Sequence, residues 1–197
     1  MTLAELDVNK VYTYADYFRW KFEERVELIK GKLFPMSPAP NQYHQYLAGE
    51  IHFKLKGHLY QKPCSVFFAP FDVRLPRKSN KDEDILTVLQ PDLCVICDKA
   101  KLADPRGCLG APDIIVEILS PANSKKELKY KYEVYEESGV KEYWVVFPVE
   151  RTMLIYTLVD GKFVSSRLMV AGDVVTSTVL PGFSMDLKEM FGEEEDE

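Results

Sequence analysis

Asp92, Glu117 and Lys131 are the residues whose types and spacing could do chemistry together. Asp92 follows Pro91 and leads into the apolar run 93–97. Glu117 interrupts the aliphatic run 113–119. A carboxylate inside such a run is costly to bury unless a cation or a donor pairs with it. Lys131 falls on the third turn of a lysine-rich helical stretch, 124–138. If the two apolar runs pair antiparallel, the turn over 99–110 carries Asp92 towards the C-terminal half of the second run, where Glu117 sits. Two carboxylates there repel unless one is protonated or a divalent ion lies between them. Oxygen-only ligands suit Mg2+ or Mn2+. A metal-dependent site is therefore one reading.

The plainer readings stand beside it. Glu117 could meet solvent or a lysine at a strand end, and Asp92 could be a strand-edge acid. Asp113 reads more simply as an acid that accepts loop N–H bonds. Lys131 flanks a stripe of Leu128, Tyr132 and Tyr135. Its ammonium could pair with Glu127 one turn away or reach over the sheet edge towards Glu117, and spacing does not choose between these.

The elements that must position these groups follow from pattern. Thr13 with Asp16 marks a helix start running to about residue 21. Residues 25–29 and 32–34 flank Lys30-Gly31 as a hairpin, closed off by Pro35, Pro38 and Pro40. Asn41 caps a helix over 42–60 with Tyr43, Leu47, Ile51, Leu55 and Leu59 at helical spacing. A strand is predicted over 65–75 and a charged loop over 77–87. Residues 113–120 read as a central strand covered on both faces. Ser124 and Glu127 fit a capping box, and Gly139 suits the end of that helix. The strand at 142–147 then completes a right-handed parallel crossover. A meander follows: 153–159, an Asp160-Gly161 turn, 162–170 and 177–183, with a last helical turn over 186–190.

The expected fold is a mixed α/β domain with α+β character. Its central sheet combines 65–75, 92–97 and 113–120 with the parallel strand 142–147. Helices flank that sheet, and the N-terminal hairpin and C-terminal meander extend it. One domain spans 1–191, and an acidic, solvated tail fills 192–197.

The 197 residues, 46% apolar and 12% aromatic, belong to a globular chain. No apolar run reaches the roughly 18 residues of a membrane helix. The N-terminus lacks a signal-peptide pattern, so cytoplasmic location is the default. The net charge of −6 counts against tight duplex binding over the whole surface, although lysines cluster at 125–131. Of four cysteines, Cys94 and Cys97 sit on opposite faces of one strand. All four are expected to be reduced.

Several segments together resemble a known family. They are Pro91-Asp92, the run 110–121 (Gly-Ala-Pro-Asp-Ile-Ile-Val-Glu-Ile-Leu-Ser-Pro), 131–135 (Lys-Tyr-Glu-Val-Tyr) and 139–144 (Gly-Val-Lys-Glu-Tyr-Trp). Residues 27–33, 36–38, His44 and 71–75 are similar as well. The resemblance covers roughly residues 12–185 and is to a bacterial family described as putative restriction endonucleases, long catalogued as a domain of unknown function. That family is assigned to the PD-(D/E)xK nuclease superfamily. The resemblance implies a restriction-endonuclease-like fold with extra β-hairpins, Asp92 as the motif aspartate, Glu117 as the second acid and Lys131 as the lysine. This chain departs from the simple motif, because Leu119 stands two residues after Glu117 and the lysine would have migrated to the helix. Glu127 stands where relatives often carry aspartate, and Lys30 replaces a common acid.

The implied function is Mg2+-dependent (or Mn2+-dependent) endonucleolytic hydrolysis of DNA. Asp92, Glu117 and the Ile118 carbonyl would hold the ion and Lys131 would orient water or stabilise charge. Glu27 is a candidate further acid in the catalytic set, with Asp72 and His44 as weaker, substrate-proximal candidates. A homodimer or higher oligomer would suit cutting both strands. Two other classes stay open: a nucleic-acid- or protein-interaction module that keeps the fold, and a metal-dependent hydrolase of a smaller phosphate ester.

Overall fold

The structure is a computed structural model that describes residues 3–21, 24–36, 41–120 and 125–192. The Ser124–Glu127 capping box, Pro38, Pro40 and the acids at 193–197 lie outside the described residues, as does the Glu127 side chain.

The chain enters through a short helix, α1 (Tyr14–Tyr17). Thr13 caps it reciprocally with Asp16, and it is shorter than the sequence suggests. The hairpin is formed by β1 (Val26–Ile29) and β2 (Lys32–Pro35). Its turn residues Lys30 and Gly31 have φ of 49° and 77°, as a two-residue turn matching strand twist requires. Helix α2 (Gln42–His58) begins where the Asn41 side chain accepts the His44 amide at 2.8 Å. Then come β3 (Ser65–Phe68), β4 (Val73–Arg74), β5 (Val88–Leu89), β6 (Leu93–Ile96), β7 (Cys108–Leu109) and β8 (Ile114–Ile118). Helix α3 (Lys125–Ser138) crosses to β9 (Glu142–Phe147). The chain finishes with β10 (Thr152–Val159), β11 (Lys162–Ser165), β12 (Met169–Val170), β13 (Val174–Thr176), β14 (Ser184–Asp186) and helix α4 (Leu187–Phe191).

The main sheet has the order β11-β10-β9-β8-β6-β3, with β12 also paired to β10. Among its described strands only β8 and β9 run parallel, and α3 connects them. β6 pairs antiparallel with β8, Leu93 opposite Val116, so Asp92 arrives beside the Glu117 end of β8. The period of two then sorts the side chains. Ile114, Val116 and Ile118 face one core, shared with Leu47, Ile51, Leu55 and Leu59 of α2 and with α4. Ile115 faces the other, shared with Val134 and Tyr135 of α3 and with a second sheet. That second sheet has the order β2-β1-β5-β4-β7. β8 is thus covered on both faces, which is why Glu117 is only 7% exposed.

Four expectations are corrected. The predicted strand 65–75 divides, because Pro70 has no N–H to continue a ladder; β3 stays in the main sheet and β4 joins the second. The hairpin belongs to that second sheet rather than extending the first. The predicted strand 162–170 also divides, into β11 and β12, which each pair with β10. Residues 177–183 form a loop between β13 and β14. There the amides of Thr178 and Val179 and the hydroxyls of Ser177 and Thr178 donate to the buried Glu142 carboxylate, a demand that outweighs strand propensity.

The cysteines are also corrected. Cys64 and Cys97 form a disulfide. They flank the last pair of the β3–β6 ladder, Ser65 opposite Ile96, so antiparallel register places them across from each other. Cys94 and Cys108 are free and buried. No helix among the described residues is long and apolar enough to cross a membrane.

Candidate active site

Two sheets and two helices converge on one buried cluster of acids and a lysine. Glu117 comes from the central strand and Lys131 from α3. The Lys131 ammonium lies 3.1 and 3.2 Å from the two Glu117 oxygens. It also lies 3.0 Å from Glu27 Oε2, delivered by the hairpin. The ammonium therefore points at the sheet. Lys131 is 4% exposed and sits within the buried stripe of α3 with Val134 and Tyr135, not on its flank.

Asp92 completes the cluster from the side. Its Oδ2 accepts the Ile118 amide at 2.7 Å, and its Oδ1 lies 3.4 Å from His44 Nε2. The same His44 nitrogen is 3.0 Å from the Ile118 carbonyl oxygen. A carbonyl only accepts, so that contact assigns the hydrogen to Nε2. His44 reaches this point because Asn41 fixes the first turn of α2. The Asp92 side chain is 23% exposed against 9% for Glu117, 5% for Lys131 and 2% for Glu27. Asp92 is the open side of the cluster.

The electrostatics follow from burial. Burial pushes the Glu117 carboxyl up to about 7, and the charges of Asp92 and Glu27 add to the effect. Lys131 and the Tyr135 hydroxyl, which donates to Glu117 Oε1 at 2.7 Å, oppose it. For His44, burial favours the neutral ring, but Asp92 and the Ile118 carbonyl outweigh it and the pKa rises. Glu27 Oε1 accepts the Gln90 amide at 2.9 Å. The Gln90 side-chain amide donates to Asp72 Oδ1 at 2.8 Å, and Tyr17 donates to the same oxygen at 3.2 Å. Burial holds the Asp72 carboxyl above its ordinary value despite those donors. Asp72 is thus tied to the cluster through Gln90 rather than placed in it.

Asp113 stands at the other end of β8. It accepts the Cys97 amide at 2.7 Å and the Lys141 ammonium at 2.6 Å, which accounts for it as an anchoring acid. Lys30 reaches Glu133 at 3.1 Å and Glu137 at 3.3 Å on α3, so this departure from the family pattern clasps the hairpin to the helix. Sequence reasoning missed Tyr135, Gln90 and Tyr17. Tyr135 lies four residues after Lys131 on one helix face, a usable signal; Gln90 and Tyr17 gave none beyond proximity to Asp92 and the helix start.

A central β8–α3–β9 crossover beside an antiparallel β6–β8 pair, with acids from β6 and β8 meeting a helix lysine, defines a restriction-endonuclease-like fold. Among solved structures, a putative nuclease belonging to DUF820 from Anabaena variabilis is similar, with TM-score 0.70 at 19% identity. The match covers 91% of this chain and 97% of that one. The chain belongs to the Uma2 family, described as putative restriction endonucleases, whose model matches residues 14–188. No curated protein matches the chain.

Proposed function

We propose that the protein is a divalent-metal-dependent endonuclease that hydrolyses DNA phosphodiester bonds. The observation that carries this reading is the Lys131 ammonium, within 3.1 Å of both Glu27 and Glu117, with Asp92 held on the Ile118 amide at the more exposed side of the cluster. Among the described residues no three His, Cys, Asp or Glu side chains stand together as a metal cage. The fit is of another kind. Asp92, Glu117 and the Ile118 carbonyl are hard oxygen donors, and so small a protein share suits Mg2+, which keeps several waters. Burial is the largest reason that the Glu117 pKa is raised, and a dication beside the carboxylate would favour its charged form. Bound there, such an ion would polarise a phosphate and lower the pKa of a water.

The chain's own groups would do the rest. Lys131 would donate to the attacking water or to charge developing on the phosphate. Glu27 would hold that lysine, and Tyr135 would hold the Glu117 carboxylate. His44, whose Nε2 lies between Asp92 and the Ile118 carbonyl, would orient those two groups beside a substrate phosphate. Asp72 would support the cluster through Gln90. A second reading, a non-catalytic interaction module, is favoured by the acidic balance of −6 and by the Lys131 contacts that already engage both Glu117 oxygens.

The deciding measurement is nicking of supercoiled plasmid and of single strands with Mg2+ or Mn2+, beside Glu117→Ala. Metal-dependent cleavage abolished by Glu117→Ala supports the enzyme. Cleavage that survives the substitution assigns the activity elsewhere. Absence of cleavage together with absence of calorimetric Mn2+ binding leaves the interaction module as the reading.

A further inference from the structure

The outer face of α2 carries a pattern that the candidate site does not use. Tyr46, Phe53 and Tyr60 are 43%, 69% and 72% exposed. Along with Gly49, Glu50, Lys56 and Gly57, at offsets of 3, 4, 10 and 11 from Tyr46, Phe53 at offset 7 makes one helical stripe, and Tyr60, in the turn two residues past the end of α2, continues it. It is opposite the buried stripe of Leu47, Ile51, Leu55 and Leu59. Phe68, 60% exposed, borders it through an edge-on contact with His52.

The stripe is a palindrome about Phe53. Reversing its direction exchanges Tyr46 with Tyr60, Gly49 with Gly57 and Glu50 with Lys56, and leaves Phe53 on itself. Self-complementarity of this sort is what a two-fold interface requires. The glycines supply a separate observation. Among the described residues a Cβ at either would meet nothing within 4 Å, so their packing does not call for glycine there. Each costs the helix about 0.5–1 kcal/mol relative to alanine. Small residues flanking an exposed ring leave open space into which the Phe53 ring of a second copy can pack.

From this we infer that a second copy of this chain docks here, with the two α2 helices antiparallel across a two-fold axis at Phe53. Glu50 of each protomer then faces Lys56 of the other, and neither makes an ion pair within its own chain among the described residues. At those exposures the three rings offer roughly 400 Å² per protomer, taking ~200 Å² per aromatic side chain. Phe68 and the flanking side chains bring this towards the ~800 Å² per partner of a standard interface. The dimer is accordingly a reversible one. His44 lies nine residues before Phe53, so at 1.5 Å per residue the two copies of His44 are at least about 27 Å apart along the helix axes. The pairing rests on α2 alone and does not depend on the nuclease reading.

Sedimentation velocity of the full chain over about 1–100 µM, the range for a small reversible interface, tests this. Reversible dimerisation is expected, weakened at least about tenfold by Phe53→Glu with an unchanged circular dichroism spectrum. Glu50→Lys and Lys56→Glu each weaken the dimer, and the two together restore it. Under mild oxidation Phe53→Cys chains crosslink to one another, whereas chains with Val164→Cys, on the exposed edge of the main sheet, do not. A monomer at every concentration overturns the inference. So does a dimer indifferent to Phe53→Glu, or a monomer in which Phe53→Glu abolishes duplex DNA binding, which would assign the face to nucleic acid.

Discussion

Lys131 and Glu27 meet at 3.0 Å with side chains only 5% and 2% exposed, although one belongs to the crossover helix and the other to the N-terminal hairpin. A single ammonium therefore compensates carboxylates from two different sheets.

Lys131→Met is expected to be the most damaging single change. It leaves Glu27 and Glu117 buried without a cation, a loss of about 3–5 kcal/mol. Thermal denaturation at pH 8 should show a large fall in Tm, smaller at pH 6 because Glu117 then takes up a proton. An equal loss at both pH values would contradict the charge account.

Glu117 itself should set a pH slope on stability. Its folded pKa, about 7, is above the ordinary 4.5. A raised pKa means that the folded state binds the proton more tightly. The group's contribution is full below about 4.5 and is lost as pH rises through 7, a swing on the order of 3 kcal/mol at about 1.4 kcal/mol per pH unit. Glu117→Gln should flatten the Tm–pH curve between pH 5 and 8 and be more stable than the parent at pH 8. In the proposed metal reading, Mn2+ raises the Tm of the parent at pH 8 and not that of Glu117→Gln.

Tyr135→Phe removes one donor from a buried carboxylate and nothing else of similar size. The expected cost is about 2 kcal/mol, with the Glu117 titration moved further up. Denaturant unfolding at pH 6 and 8 reads both effects, and a cost unchanged by pH would show that the hydroxyl does not bear on that carboxylate.

Opening the Cys64–Cys97 crosslink should lower stability by about 3–4 kcal/mol, from the entropy of a closed loop with its ends 33 residues apart. Thiol titration of the unfolded, unreduced chain should count two free thiols. Four would mean that the bridge is absent.

Much of the site's frame was legible because it depends on local rules. The carboxylate in an aliphatic run, the antiparallel return that carries Asp92 to it and the Asn41 cap beneath His44 all follow from spacing. The side chain of Lys131 was not legible. Whether a helix residue lies on the flank or in the buried stripe depends on the roll of the helix, and that is set by Tyr135 and by a hairpin a hundred residues away. The disulfide was hidden for a related reason: cysteine spacing along one strand says nothing about which cysteine the neighbouring strand presents. The second sheet was hidden because β4, β5 and β7 have two residues each, too short for any periodicity to register.

Gln90, Pro91 and Asp92 form a link of three residues between the two sheets. Gln90 follows β5 and is held by Glu27, Asp72 and, through its side-chain oxygen, Arg25. Asp92 precedes β6 and is held by Ile118. Three residues with a proline in the middle have almost no slack. A sliding of one sheet over the other would therefore pull directly on Asp92, the most exposed carboxylate of the cluster.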